Sequence, residues 1–192
     1  TNMYAMFYDC RELSALGVSN WDVGSVTIME FTFGGCKKIE YLDVSNWDVS
    51  QVTSFDSFLS SSGSNTGNMS LKSIDVSKWN TSNAVKLSYM FYGCGQMESL
   101  DLSNWDVSKV TTTYHMFTDC YNLTSLNFTG WYTPNLTNMD GMFNDCHALV
   151  TLDVSDFETY NVTDIAQIFE GCCSLKEIIG FSQWDTSSLV DA

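Results

Sequence analysis

Proline is all but missing from this 192-residue chain, with Pro134 its one instance. Basic residues are scarce too: eight Lys and Arg stand against 23 Asp and Glu, and Arg11 is the sole arginine. The formal charge of −15 repels phosphate, which argues against nucleic acid and anionic membranes as partners. Basic proteins and divalent cations remain. No apolar run approaches the roughly 18 residues a bilayer crossing needs, so membrane insertion is not expected. The opening Thr1-Asn2-Met3-Tyr4 lacks the basic-then-apolar pattern of an export signal. Such a signal is expected either to have been removed or to belong to a longer protein. The two histidines, His115 and His147, fit no metal-ligand spacing, and no G-x-S-x-G, phosphate loop or H-E-x-x-H occurs. An enzyme is not expected.

What the chain does contain is a repeat. Trp21, Trp47, Trp79, Trp105, Trp131, Phe157 and Trp184 follow one another at 26, 32, 26, 26, 26 and 27 residues. Cys10, Cys36, Cys94, Cys120, Cys146 and Cys172 give 26, 58, 26, 26 and 26. The 58-residue interval spans one ordinary copy and one lengthened by six, in which Ser62 takes the cysteine slot. The insertion falls in the Gly/Ser/Asn-rich stretch 60–68, and the extra residue of the last copy lies near Gly180. Two unrelated residue types keep one period, so coincidence is not a competing account.

Two hydrophobic patterns sit inside each copy. Met139, Met142, Phe143 and Cys146 follow i, i+3, i+4, i+7, the face of a short helix or 3₁₀ turn. The pairs Leu42/Val44, Ile74/Val76, Leu100/Leu102, Leu126/Phe128 and Leu152/Val154 alternate with polar residues, as in a strand with one buried face. A unit of 26 residues cannot bury its own apolar side, so neighbours must stack. The expected fold is one α/β repeat solenoid over residues 1–192. It has about seven coils, a parallel β-sheet on one side and helical or 3₁₀ turns on the other, and runs on the order of 30–35 Å. The sequence begins and ends in mid-repeat. It therefore reads as a piece of a longer array, or as a module that stacks end to end through uncapped termini.

The block M-F-x-x-C-x-x-L-x-x-L-x-(V/L/F)-S-x-W-(D/N)-x-S-x-V-T recurs almost throughout, as in Met90-Phe91-Tyr92-Gly93-Cys94 leading to Trp105-Asp106. It resembles the 26-residue repeat of BspA-like and mycoplasmal surface proteins, a leucine-rich-repeat variant. That resemblance implies a leucine-rich-repeat-like solenoid, secreted or on a cell surface, serving adhesion or protein binding without catalytic residues. Ser62, Phe157 and Tyr132-Thr133-Pro134 depart from the pattern.

Several columns of side chains follow from stacking. The cysteines sit on the apolar face and read as a reduced core ladder; disulfides between coils or a metal are the rival readings. Cys173, outside the ladder, is the expected exposed thiol. The tryptophans read as core, the rival being a surface row stacking sugars. Asp22, Asp48, Asp106 and Asp185, after the tryptophans, read as turn-closing residues that accept from the backbone two residues on. The outward strand residues Asp43, Asp75, Asp101 and Asp153, with Ser45, Ser77, Ser103 and Ser155, form the candidate ligand-binding face. Stacked carboxylates about 5 Å apart repel by roughly 0.8 kcal/mol per pair in water. Such a column suits a basic protein ligand on a host or neighbouring cell, or calcium; a merely solvated face is the plain reading. A passive spacer and a glycan-binding surface are the alternatives to protein binding, with the 60–68 loop a further contact candidate.

Overall fold

A computed structural model of the chain describes residues 1–61 and 69–191. The expected slot of Ser62 and most of the insertion fall outside them. The molecule is a repeated domain of small parallel sheets with almost no helix, an arrangement consistent with a repeat solenoid. Strands β1 (Ser99–Asp101) and β2 (Ser125–Asn127) pair in parallel, as do β3 (Thr151–Asp153) and β4 (Glu177–Ile179). Partners are 26 residues apart, Leu100 opposite Leu126 and Leu152 opposite Ile178. A second parallel column links Asn2, Ile28, Ser54, Lys86, Thr112, Asn138, Asp164 and Asp191, each bridged to the next. Successive copies are therefore in register at two places around the repeat. The flanks of the insertion keep that register: Ser61 N–H donates to Tyr92 C=O, and Met69 N–H to Gly93 C=O.

The expected helical turns are not there. Among the described residues the one helical element is a single 3₁₀ turn, Phe181–Gln183. In the segment from Met139 to Cys146, every second N–H crosses to the next copy: Met139 to Asp164, Gly141 to Ala166, Phe143 to Ile168, Asp145 to Glu170. The N–H groups of Met142, Asn144 and Cys146 turn back to the carbonyls three residues earlier, and Asp140 N–H donates to Asn138 Oδ1. All eight donors are satisfied without a helix or a sheet, which is what burial demands of a backbone. The geometry depends on two left-handed residues four apart, Gly141 (φ 60) and Asp145 (φ 57). The same two slots are left-handed at Phe31 and Gly35, Tyr89 and Gly93, His115 and Asp119, Gln167 and Gly171. Such a chain puts Met139, Met142, Phe143 and Cys146 inside just as a helix would, so the spacing was real and its explanation was wrong.

The core is built of columns. Phe91, Phe117, Phe143 and Phe169 stack with centroids 5.6, 6.0 and 5.7 Å apart and ring planes within 6°. Trp79, Trp105, Trp131, Phe157 and Trp184 form a second stack, at 6.1, 6.4, 5.7 and 6.4 Å. Trp21 stacks on Trp47 at 6.5 Å, and Phe58 stands edge-on between Trp47 and Trp79. The indoles of Trp47, Trp79, Trp105 and Trp131 also reach back one copy. Trp47 Nε1 donates to Val18 C=O, Trp79 to Val44, Trp105 to Val76 and Trp131 to Leu102, at 2.9–3.1 Å. The alignment of tryptophan-slot residues thus rests on ring stacking and on a directional hydrogen bond.

Candidate functional site

Asp101 and Asp153 end β1 and β3, where Asp101 faces Asn127 and Asp153 faces Ile179, while Asp43 and Asp75 lie outside the described strands. In each of the four places the carboxylate is turned on a nearby serine. Ser45 N–H and hydroxyl both donate to Asp43 Oδ1 at 3.2 and 2.7 Å. Ser77 does the same to Asp75 at 3.1 and 2.7 Å, and Ser155 to Asp153 at 3.0 and 2.6 Å. Asp101 Oδ1 takes Ser103 N–H at 3.1 Å and, from the next copy, Asn127 Nδ2 at 3.0 Å. These are Asx turns, and at Asp101 and Asp153 they end β1 and β3. Hydrogen bonding favours the ionised form, so the Asp75, Asp101 and Asp153 carboxyls lie below the usual range. The Ser77 and Ser155 hydroxyls are the larger cause at Asp75 and Asp153, and the Ser103 N–H is at Asp101. Asn127 and Thr129 make the same turn with no charge, at 3.1 and 2.8 Å. The turn needs an acceptor there, and the charge is additional to it.

The residues after the tryptophans behave as the sequence suggested. Asp22, Asp48, Asp106 and Asp185 accept the N–H of Gly24, Ser50, Ser108 and Ser187 at 2.9–3.1 Å. The one proline belongs to this turn. Where Pro134 removes the donor, Tyr132 replaces the acceptor, so donor and acceptor are lost together and neither is stranded.

All seven cysteines are free. The ladder thiols donate to carbonyls of the preceding copy: Cys36 to Phe7, Cys94 to Leu59, Cys120 to Phe91, Cys146 to Phe117 and Cys172 to Phe143, at 3.0–3.5 Å. Burial pushes the Cys36 and Cys172 thiols up to about 11 and those of Cys94, Cys120 and Cys146 higher still. Thiolate is the form that attacks and that binds metal, so this environment suppresses both chemistries. Cys173 is exposed, as expected, and so is Cys10. We expect a maleimide to modify Cys10 and Cys173 rapidly in the native protein. Cys36, Cys94, Cys120 and Cys146 should label only in denaturant, as mass spectrometry of the digested protein would show. Fast native labelling of Cys120 would contradict the packing.

The tryptophan rings between Trp47 and Trp131 are buried against one another, so a surface row for stacking sugars is not what they form. Among the described residues no three His, Cys, Asp or Glu side chains converge as a metal site requires.

A different surface breaks the repeat. On the side carrying the left-handed residues, Tyr89, Tyr92, His115, Asp119 and Asp145 line a depression of about 380 Å³. The His115 ring lies parallel to Tyr89 (5.6 Å, 10°) and edge-on to Tyr114 (4.3 Å). Thr118 gives its one hydroxyl hydrogen to Gly141 C=O, so it accepts from His115 Nδ1, both at 2.7 Å. Tyr121 donates to Asp119 Oδ1 at 2.8 Å, and His147 Nε2 lies 3.2 Å from Asp145 Oδ1. Burial raises the Tyr92 hydroxyl, and the Asp119 carboxylate raises it further.

A family model described as Mycoplasma protein of unknown function, DUF285, matches residues 1–75, 66–152 and 95–192. The chain belongs to the DUF285 family. No curated protein matches it significantly. In this DUF285 chain, no helix of the described residues is long and apolar enough to cross a membrane.

The two histidines of this DUF285 chain fit no metal-ligand spacing, and they occupy unequal slots of the repeat. That inequality was the usable signal. The tryptophan, phenylalanine and cysteine slots recur because the core needs them, whereas the slot holding Ala5, Phe31, Ser57, Tyr89, His115, Gly141 and Gln167 keeps no residue type. Side chains released from packing are the ones a surface can spend on recognition.

Proposed function

We propose that this chain is a non-enzymatic, leucine-rich-repeat-like module of about seven 26-residue coils, of the BspA-like kind. It works at a cell surface or in secreted form and binds a basic protein ligand on a host or neighbouring cell. The observation that carries this reading is the set of Asx-turn carboxylates at Asp43, Asp75, Asp101 and Asp153. The Asn127–Thr129 pair closes the same turn uncharged, so the carboxylates are more than the fold requires. Their oxygens also hold serine N–H and hydroxyl groups, an arrangement that stabilises charge without preparing it for proton transfer. The −15 charge would speed encounter with a cationic partner and make it salt-sensitive.

The test keeps the turn and removes the charge. The triple variant Asp75→Asn, Asp101→Asn, Asp153→Asn copies what residue 127 already does, so it should fold normally. On this reading it loses binding to cationic protein and to cells presenting it, in a plate adhesion assay. Undiminished adhesion by the folded variant would leave a passive spacer as the better description.

A further inference from the structure

We propose that the depression formed by Tyr89, Tyr92, Asp119 and Asp145 receives an arginine side chain from a basic polypeptide. This rests on the protein-binding reading above and adds to it a second contact surface with its own chemistry. Asp119 and Asp145 occupy equivalent slots of consecutive copies, tied by the bond from Asp119 N–H to Asn144 C=O at 3.0 Å. Backbones joined in this way run about 5 Å apart, which offers both carboxylates to one cation, although their Oδ1 atoms already take Tyr121 Oη–H and lie near His147 Nε2. The rim beside them is aromatic: Tyr89 and Tyr92 contact each other edge to face at 5.7 Å. A guanidinium is planar, weakly hydrated and forked, so it can lie on a tyrosine face while its N–H groups reach two carboxylates. An ammonium is more strongly hydrated and has no such plane.

The aromatic wall is held in place at a backbone cost. Tyr89 (φ 56) and His115 (φ 51) are both left-handed, a conformation that disfavours bulky side chains. The His115 ring fits because residue 141 is glycine; a Cβ there would come within 2.2 Å of its Nδ1. In other copies the same slot holds Ala5, Ser57 and Gln167, which complete the backbone without building any wall. The backbone strain at Tyr89 therefore supports a shape that the repeat alone does not need.

The probe is a fluorescein-labelled octapeptide alternating Arg and Gly, with its Lys–Gly counterpart, titrated by fluorescence anisotropy at about 150 mM salt to screen diffuse attraction. Two variants remove the same charge from different places: Asp119→Asn/Asp145→Asn from the depression, and Asp75→Asn/Asp101→Asn from the strand column. The proposal expects the first to weaken the Arg peptide by about tenfold or more and the second by less than about twofold. Tyr92→Leu should cost about fivefold and should act on the Arg peptide more than on the Lys peptide. All variants are checked for an unchanged urea midpoint. Equal losses from both pairs would overturn the depression as a site and indicate attraction by net charge. Loss from the strand pair alone would overturn it too, while leaving the acidic sheet face as the binding surface. No measurable binding by the wild-type chain would also overturn it, and the adhesion assay above would still judge the broader reading.

Discussion

Trp105→Ala should remove about 3–5 kcal/mol of stability, the range for deleting a large buried aromatic. Trp105→Phe should remove only about 1–2 kcal/mol. The indole is buried between Trp79 and Trp131, with centroids at 6.1 and 6.4 Å, and donates to Val76 C=O at 3.1 Å. Alanine empties that layer and removes both stacking partners' contact. Phenylalanine keeps a ring in the stack, as Phe157 does between Trp131 and Trp184. It loses the hydrogen bond, yet Val76 C=O is not stranded, because Trp79 N–H donates to it as well. A total stability of roughly 5–15 kcal/mol makes the alanine loss a large share of the whole. The effect should also change the shape of the transition. In a stack whose copies touch only their neighbours, a hole at mid-length weakens two interfaces at once. Urea unfolding followed by tryptophan fluorescence should therefore show the larger drop in midpoint for alanine, and a broader transition for alanine alone. Equal costs for the two substitutions would mean that the ring stack contributes little.

The period was readable because the core enforces it. Tryptophan, phenylalanine and cysteine recur at fixed slots, since each must fit against its own counterpart one copy away. The conformation of the Met–Phe segment was not readable from the same residues, because i, i+3, i+4, i+7 burial arises equally from a helix and from a chain turning left-handed every fourth residue. A weaker signal lay in the slot holding Asp9, Gly35, Gly93, Asp119, Asp145 and Gly171. Glycine and aspartate tolerate the left-handed region well, and finding them together in one slot argues against a helix. The companion slot carried no such signal, since it keeps no residue type and Phe31 and Tyr89 are poor left-handed residues. The internal use of the outward aspartates was hidden. Asp-x-Ser spacing fits a solvated strand face and an Asx turn alike, and only the 2.6–2.7 Å hydroxyl contacts at Asp43, Asp75 and Asp153 distinguish them.

Gly141→Ala should cost about 3 kcal/mol, and most of that cost should vanish when His115 is also replaced by alanine. Two separate penalties fall on the new methyl group. Residue 141 has φ 60, where any Cβ is disfavoured by about 1 kcal/mol or somewhat more. The Cβ would also lie 2.2 Å from Nδ1 and 2.3 Å from Cε1 of His115. These are ring atoms held by the Tyr89 stack and the Thr118 hydrogen bond, and they cannot swing aside without giving up both. His115→Ala removes the obstruction, and Ala5 shows that alanine fits this slot at φ 52. In that background only the backbone penalty remains, so the double-mutant cycle should report a coupling of about 2 kcal/mol. Pure left-handed strain would give the same cost in both backgrounds and a coupling near zero. That outcome would place the imidazole away from Gly141, and the parallel contact with Tyr89 that backs the aromatic wall would go with it.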